Sequence, residues 1–144
     1  MPEVRPERSE WRDEELSKRH RLYGWDCPAV DIDFLMVEYD LGKPVALVEY
    51  KNREKPQEFD YRQTNFAAIV ELANRARIPA ICCQYNKSFT RFWPEALNEP
   101  AKKWLPGRRT LTEKQWVQTL YAIRGRALPE DIGNQLNSFY KEET

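Results

Sequence analysis

Two acidic residues and a lysine beside two short apolar segments are the residues of this sequence best suited to chemistry. Asp33 comes just before the segment 34–39, while Glu49 and Lys51 stand at the end of the segment 45–50. Hard cations such as Mg²⁺ take oxygen ligands, often one or two carboxylates completed by water and phosphate. A lysine beside such a cation could orient or polarise an attacking water. These residues therefore suit metal-assisted hydrolysis of a phosphodiester.

The two apolar segments are predicted to be the strands of a β-hairpin. Both are rich in β-branched and aromatic side chains, which favour strands. Gly42 and Pro44 stand between them and mark a tight turn. The hairpin is thus the element that must position the acids and the lysine.

The register of the hairpin decides whether Asp33 shares a face with the other two residues. Side chains alternate along a strand, so Glu49 and Lys51 point the same way. A three-residue loop, 41–43, would place Asp33 opposite Lys51 and Leu35 opposite Glu49. A two-residue loop would turn Asp33 to the other face. We therefore expect an odd-length loop or a β-bulge.

This arrangement resembles the PD-(D/E)XK nuclease superfamily, in which an acid enters one strand of a hairpin and Glu-x-Lys leaves the next. The second part is Glu49–Lys51, and the resemblance covers residues 10–95. The Pro-Asp pair of the family is absent, since Pro28 stands three residues before Asp31. The first acid is therefore Asp31 or Asp33, and we favour Asp33 because it lies nearer the strand interior.

The resemblance implies a metal site and a catalytic lysine. It assigns Asp33, Glu49, the Tyr50 carbonyl and a glutamate of the first helix to Mg²⁺, for which Mn²⁺ would substitute. That glutamate is Glu15, with Glu14 as the next choice, and Lys51 would activate water. The alternative for Glu15 is an ordinary surface salt bridge, and for the hairpin a charged, soluble sheet edge.

The resemblance also implies the fold class and the substrate. The fold is expected to be α/β (α+β), with a mixed central β-sheet flanked by helices, a restriction-endonuclease-like core and C-terminal helices. The expected function is a structure-directed DNA endonuclease, acting on branched or single-stranded DNA, as in phage or mobile-element nucleases and junction-resolving homodimers. The alternatives are a catalytically silent nuclease-fold module that binds nucleic acid, and a protein-interaction module that uses Trp104, Trp116 and the C-terminal helices.

Helix and strand signals extend this picture along the chain. Residues 10–23 are predicted to be a helix capped by Ser9, and residues 57–77 a second helix. We expect a buried strand at 80–85, parallel to 45–50, and an antiparallel strand at 89–93 that Pro94 interrupts. Thr112 and Gln115 form a capping box for a helix that Gly125 ends, and a last helix spans 129–140. The expected organisation is a flexible arm (1–8), a nuclease-like core (9–97) and a helical extension packed on it (98–144).

Seven residues outside the carboxylate pair are candidates for binding nucleic acid. Their basic or aromatic surroundings could contact a phosphate backbone. They are Arg19, His20, Arg62, Lys102, Lys103, Arg108 and Arg109. The alternative for each is an ordinary solvent-exposed surface residue.

Composition sets weaker limits. The 144 residues contain 23 Lys plus Arg and 23 Asp plus Glu, so no basic excess points to nucleic acid. No apolar run approaches the roughly 18 residues of a membrane span, and the start of the chain lacks the apolar core of a signal peptide. We therefore expect a cytoplasmic protein with no membrane partner, whose three cysteines are reduced thiols.

Overall fold

The computed structural model describes residues 14–23, 32–54, 64–105, 107 and 109–141. The chain divides into two units, Met1–Asp31 and Ile32–Thr144. The first unit contains helix α1, Glu14–Leu22. The predicted arm, 1–8, and the predicted start of this helix lie outside the described residues.

The second unit is a four-stranded sheet with helices after it and between its strands. Its elements are β1 (Phe34–Glu38), β2 (Lys43–Asn52), α2 (Thr64–Ala76), β3 (Ala80–Tyr85), β4 (Phe92–Ala96), α3 (Glu99–Lys102), α4 (Glu113–Ile123) and α5 (Glu130–Lys141). The strand order is β1-β2-β3-β4, antiparallel except for the parallel pair β2 and β3. The expected mixed α/β class with C-terminal helices is confirmed, as is the parallel pairing across the helical crossover.

The hairpin of β1 and β2 turns through four residues, 39–42, and contains a β-bulge. Glu38 pairs with Lys43, and the register shifts between Met36 and Val37. Gly42 in the turn has a φ of +62°, a conformation that glycine adopts at little cost. The expected bulge is therefore confirmed, whereas the three-residue loop is wrong.

The predicted register of the hairpin is wrong by two residues. Leu35 pairs with Leu47 rather than with Glu49, and the same register continued by one residue places Asp33 opposite Glu49 rather than Lys51. The expected shared face survives, because a shift of two residues keeps every side chain on its face. Without the bulge, Asp33 would lie opposite Val48 and turn to the other face.

Strand β4 lies three residues later than predicted and contains Pro94, which does not interrupt it. Phe92 exchanges backbone hydrogen bonds with Leu111 on the side away from β3. Two residues on, Pro94 presents its nitrogen on that same outer side while it pairs with Cys83. Its missing N–H therefore costs no hydrogen bond to β3.

Each face of the sheet has its own apolar core. On one face Leu47 and Ala80 pack against Ile69 and Ala73 of α2. On the other face the buried residues include Val48, Ile81, Cys83, Ala101 and Trp116, the last contributed by α4. Burial of each large side chain stabilises the fold by about 1.5–3 kcal/mol.

Helix α4 has the predicted capping box of Thr112 and Gln115, and Gly125 follows its end with a φ of +77°.

Asn98 joins the start of β3 to two helices. Its side-chain oxygen accepts hydrogen bonds from the N–H groups of Ala80 (2.9 Å) and Ala101 (3.2 Å), so it also caps α3. Its side-chain nitrogen donates to the Asn74 side chain and to the Ile78 carbonyl, both at 3.0 Å. Asn98 is 7% exposed, so these bonds replace water around a buried amide.

Candidate functional site

Asp33 and Glu49 are held against each other by reciprocal hydrogen bonds. The backbone N–H of Asp33 donates to Glu49 Oε1 at 3.0 Å, and the backbone N–H of Tyr50 donates to Asp33 Oδ2 at 2.9 Å. Each carboxylate thus uses one oxygen on the neighbouring strand's backbone. The hairpin fixes both groups at the same end of the β1–β2 ladder.

Glu49 is unusual because it is a buried acid beside another acid. It is 6% exposed, and burial is the main reason that its pKa rises from 4.5 to about 7. The N–H of Asp33 lowers the pKa, while the charge of Asp33 and a side-chain hydrogen bond with it raise the pKa. The charge of Lys51 lowers it. Near neutral pH, Glu49 therefore exchanges between a protonated and an ionised form.

Lys51 lies on the same face as the carboxylate pair. Its Nζ stands 5.6 Å from the ring centroid of Phe66, a buried residue of α2. The β2–β3 register places Gln84 beside Lys51 on this face. Gln84 thus adds an amide next to an ammonium and two carboxylates. It was not a candidate from the sequence, because it stands in a predicted buried strand.

Tyr50 lies between these residues in sequence, but its side chain packs on the opposite face. Its hydroxyl accepts a hydrogen bond from Trp116 Nε1 at 3.1 Å, and burial raises its pKa to about 12. Only the backbone of Tyr50 is available to the carboxylate site. The role of its carbonyl as a metal ligand stays a prediction.

Arg53 and Trp93 form a cation–aromatic pair that continues the same face beyond Lys51. The Arg53 guanidinium carbon lies 4.1 Å from the Trp93 ring centroid, and Trp93 pairs with Gln84 across β3 and β4. Neither residue is among the candidates named from the sequence, because each stands outside any recognisable motif. One signal was present, since Arg53 stands two residues after Lys51 in the sequence.

The other predicted site residues fall elsewhere or outside the described part of the chain. Glu15, Arg19 and His20 are exposed on α1, in the first unit, and their roles stay predictions. Asp31, Arg62 and Arg108 lie outside the described residues. Lys102 pairs with Glu99 at 2.6 Å, Lys103 lies 5.5 Å from the Trp104 ring, and Arg109 is exposed.

Lys102 and Lys103 are not brought beside Glu49. They stand between Ala101 and Leu105, which pack in the core on the α4 face of the sheet. Glu49 and Lys51 lie on the α2 face. Contact of these two lysines with nucleic acid stays a prediction, and it is independent of the carboxylate site.

The carboxylate pair fits a cation that needs few protein ligands. Within the described residues, no group of three or more His, Cys, Asp and Glu side chains could hold a metal ion. Asp33 and Glu49 offer two carboxylates that lie close enough together to interact directly. Mg²⁺ commonly binds one or two carboxylates and completes its octahedron with water and substrate phosphate. The donor set therefore suits Mg²⁺ or Mn²⁺ better than Zn²⁺, which takes nitrogen and sulfur ligands in closed sites.

Comparison of the chain with family models, curated proteins and solved structures found no match in any of the three. The resemblance to the PD-(D/E)XK superfamily therefore stays a prediction from Asp33 and Glu49–Lys51. None of the helices in the described part of the chain has the length and apolarity that crossing a membrane requires.

Proposed function

We propose that this protein is a metal-dependent nuclease that hydrolyses phosphodiester bonds in DNA. The observation that carries the proposal is the Asp33–Glu49 carboxylate pair with Lys51 on the same face of the sheet. A buried acid with a pKa near neutrality marks functional sites more often than ordinary surface. The resemblance of Glu49–Lys51 to a known nuclease motif supports the same chemistry.

The two carboxylates would bind the cation, and Lys51 would contact water and phosphate. Ionised Asp33 and Glu49 would hold Mg²⁺ or Mn²⁺, with the Tyr50 carbonyl as a further predicted ligand. When bound, the cation would lower the pKa of water and offset charge on the phosphate. Lys51 would orient the attacking water and balance the negative charge of the phosphate.

Arg53 supports a nucleic-acid substrate over other phosphodiesters. Stacking on Trp93 restrains the guanidinium, and a guanidinium binds phosphate oxygens through paired N–H groups. Glu49 and Lys51 occupy alternate positions of β2, about 6.6 Å apart, and Arg53 directly follows the end of this strand. Contacts spaced in this way suit an extended phosphate backbone. The cytoplasmic location, the homodimer and the structure-directed cleavage are parts of the same proposal.

A catalytically silent nuclease-fold module is the second candidate. The observation that favours it is the raised pKa of Glu49, because at neutral pH much of Glu49 holds a proton when no cation is bound. Such a module would bind nucleic acid through Arg53 and Trp93 without cutting it.

A cleavage assay with matched variants separates the two candidates. The protein would be incubated with Mg²⁺ or Mn²⁺ and labelled single-stranded, duplex, flapped and four-way DNA, and with single-stranded RNA. We expect cleavage of at least one DNA, which EDTA, Glu49→Gln and Lys51→Met each abolish. Lys43→Met, an exposed lysine at the far end of the same strand, should retain activity. Cleavage that survives Lys51→Met, or no cleavage of any DNA, overturns the proposal.

A further inference from the structure

A cavity of about 450 Å³ lies on the face of the sheet opposite the carboxylate pair. Its walls come from β1, β2, β3, β4, α4 and the loop before β4. Aromatic side chains dominate the lining: Phe34, Tyr50, Tyr85, Phe89, Phe92 and Trp116. Pockets that bind small molecules are commonly of this size and apolar, with a few polar groups that set orientation.

The rim of the cavity holds an exposed aromatic ring in a fixed place. Phe89 is 52% exposed, yet its ring stacks on Tyr85 with centroids 5.5 Å apart and planes 14° apart. Its φ of +59° lies in the left-handed region, which a bulky side chain rarely adopts. Strain of this kind persists only where the surroundings impose it, and it is frequent at ligand-binding sites.

Hydrogen bonds from Asn86 impose this conformation. Its side-chain oxygen accepts from the N–H groups of Thr90 and Arg91, both at 2.9 Å. Its side-chain nitrogen donates to the Thr90 hydroxyl at 2.7 Å, and its carbonyl accepts from the Phe89 N–H at 3.0 Å. The loop therefore presents Phe89 at the opening with little freedom left to lose on binding.

The Tyr50 hydroxyl and the Glu113 carboxyl are polar groups in a largely apolar wall. The Tyr50 hydroxyl accepts from Trp116 Nε1, and this bond does not use the hydroxyl's own proton. Glu113 adds a carboxyl group at the first turn of α4. A flat ligand with aromatic faces and a polar edge matches this lining, whereas an aliphatic ligand would cover the Tyr50 hydroxyl without replacing its water.

We infer that this cavity binds a single unpaired nucleobase, stacked against Phe89 and hydrogen-bonded at its edge to the Tyr50 hydroxyl. A nucleobase has the flat apolar faces and the polar edge that the lining requires, and stacking accepts any base. The inference rests on the proposed function and narrows its substrate to DNA with at least one unpaired base. Phe34 and Tyr50 directly follow Asp33 and Glu49, so the same two strands carry both sites on opposite faces.

Binding can be measured without catalysis, in EDTA, on the full chain. The probe is a short oligothymidylate with one fluorescent adenine analogue, whose emission falls when its ring stacks. We expect saturable quenching by the wild-type protein, and weaker binding by roughly five-fold to a hundred-fold for Phe89→Gly. Glycine accepts the φ of residue 89, so this variant removes the ring without imposing strain. Leu72→Ala, an equally exposed apolar residue on α2, is the matched control and should bind as wild type does.

The outcomes separate this inference from the proposed function. No quenching, or equal binding by Phe89→Gly and wild type, overturns the nucleobase site even if the protein cleaves DNA. Equal quenching by the same analogue in a fully paired duplex also overturns it, because a paired base cannot enter the cavity. Quenching that depends on Phe89, in a protein that never cleaves, leaves the nucleobase site standing and overturns only the proposed function.

Discussion

The titration of Glu49 is the property of this molecule that its neighbours control most directly. Asp33 raises the pKa of Glu49 through its charge and a side-chain hydrogen bond, and Lys51 lowers it through its charge. Asp33→Asn should therefore lower the pKa of Glu49 from about 7, and Lys51→Met should raise it. The two variants move the same group in opposite directions, which a general loss of structure would not do.

The structure also bounds the size of each shift. A like charge nearby raises a carboxyl pKa, and the exposed position of Asp33 keeps its part of the rise small. Asparagine at 33 keeps the backbone N–H that donates to Glu49. Because burial is the largest cause of the raised pKa, Glu49 in Asp33→Asn should still titrate above 4.5.

Carbon NMR of the glutamate carboxyl signals, followed over a wide pH range in EDTA, measures these values directly. Glu49→Gln assigns the signal by removing it. A wild-type Glu49 that titrates near 4.5 would refute the reasoning from burial. An unchanged value in Asp33→Asn would refute the coupling between the two carboxylates.

Three further predictions concern stability, each measured by urea unfolding. Between pH 4.5 and about 7 the folded protein holds a proton on Glu49 that the unfolded chain has lost, so this residue makes the free energy of unfolding fall as pH rises through that window. Glu49→Gln should remove this part of the pH dependence, and an unchanged pH profile would contradict it. Asn98→Ala removes the four hydrogen bonds of a buried side chain and should lower the free energy of unfolding by about 2–4 kcal/mol. Asn74→Ala removes one of these bonds and should lower it by less than half as much. Arg77 follows α2 with a φ of +60°, in a Schellman motif closed by hydrogen bonds from the N–H groups of residues 77 and 78. Because glycine adopts this conformation at little cost, Arg77→Gly should raise the free energy of unfolding by about 1 kcal/mol. Arg75→Gly, within the helix, should lower it by a similar amount.

The sequence was sufficient for features that depend on local pattern. The apolar segments around Gly42 predict the hairpin. Because side chains alternate between the two faces of a strand, placing Asp33 on the same face as Glu49 requires an odd-length loop or a bulge. Thr112, Gln115 and Gly125 mark the limits of α4, because capping depends on residues three or four apart. These are short-range signals, and the structure confirms them.

Local sequence patterns do not predict features that depend on the register between distant segments. The pairing of Arg53 with Trp93 needs the alignment of three strands, which no local pattern fixes. The sequence predicts that Pro94 interrupts a strand. The bridge between Phe92 and Leu111 shows that the Pro94 nitrogen lies on the side of β4 away from β3, where a missing N–H is tolerated. The aromatic cavity likewise needs residues from four strands and a helix.

The claim on which this account depends is that Asp33 and Glu49 bind a divalent cation. Paramagnetic broadening of amide NMR signals by small additions of Mn²⁺ tests it, because the effect falls steeply with distance from the bound ion. We predict that the signals of Asp33, Glu49 and Tyr50 broaden first in the wild-type protein, and that Asp33→Asn with Glu49→Gln removes this effect while Mg²⁺ competes for it. Broadening that begins at other carboxylates and leaves these three signals sharp would contradict the claim.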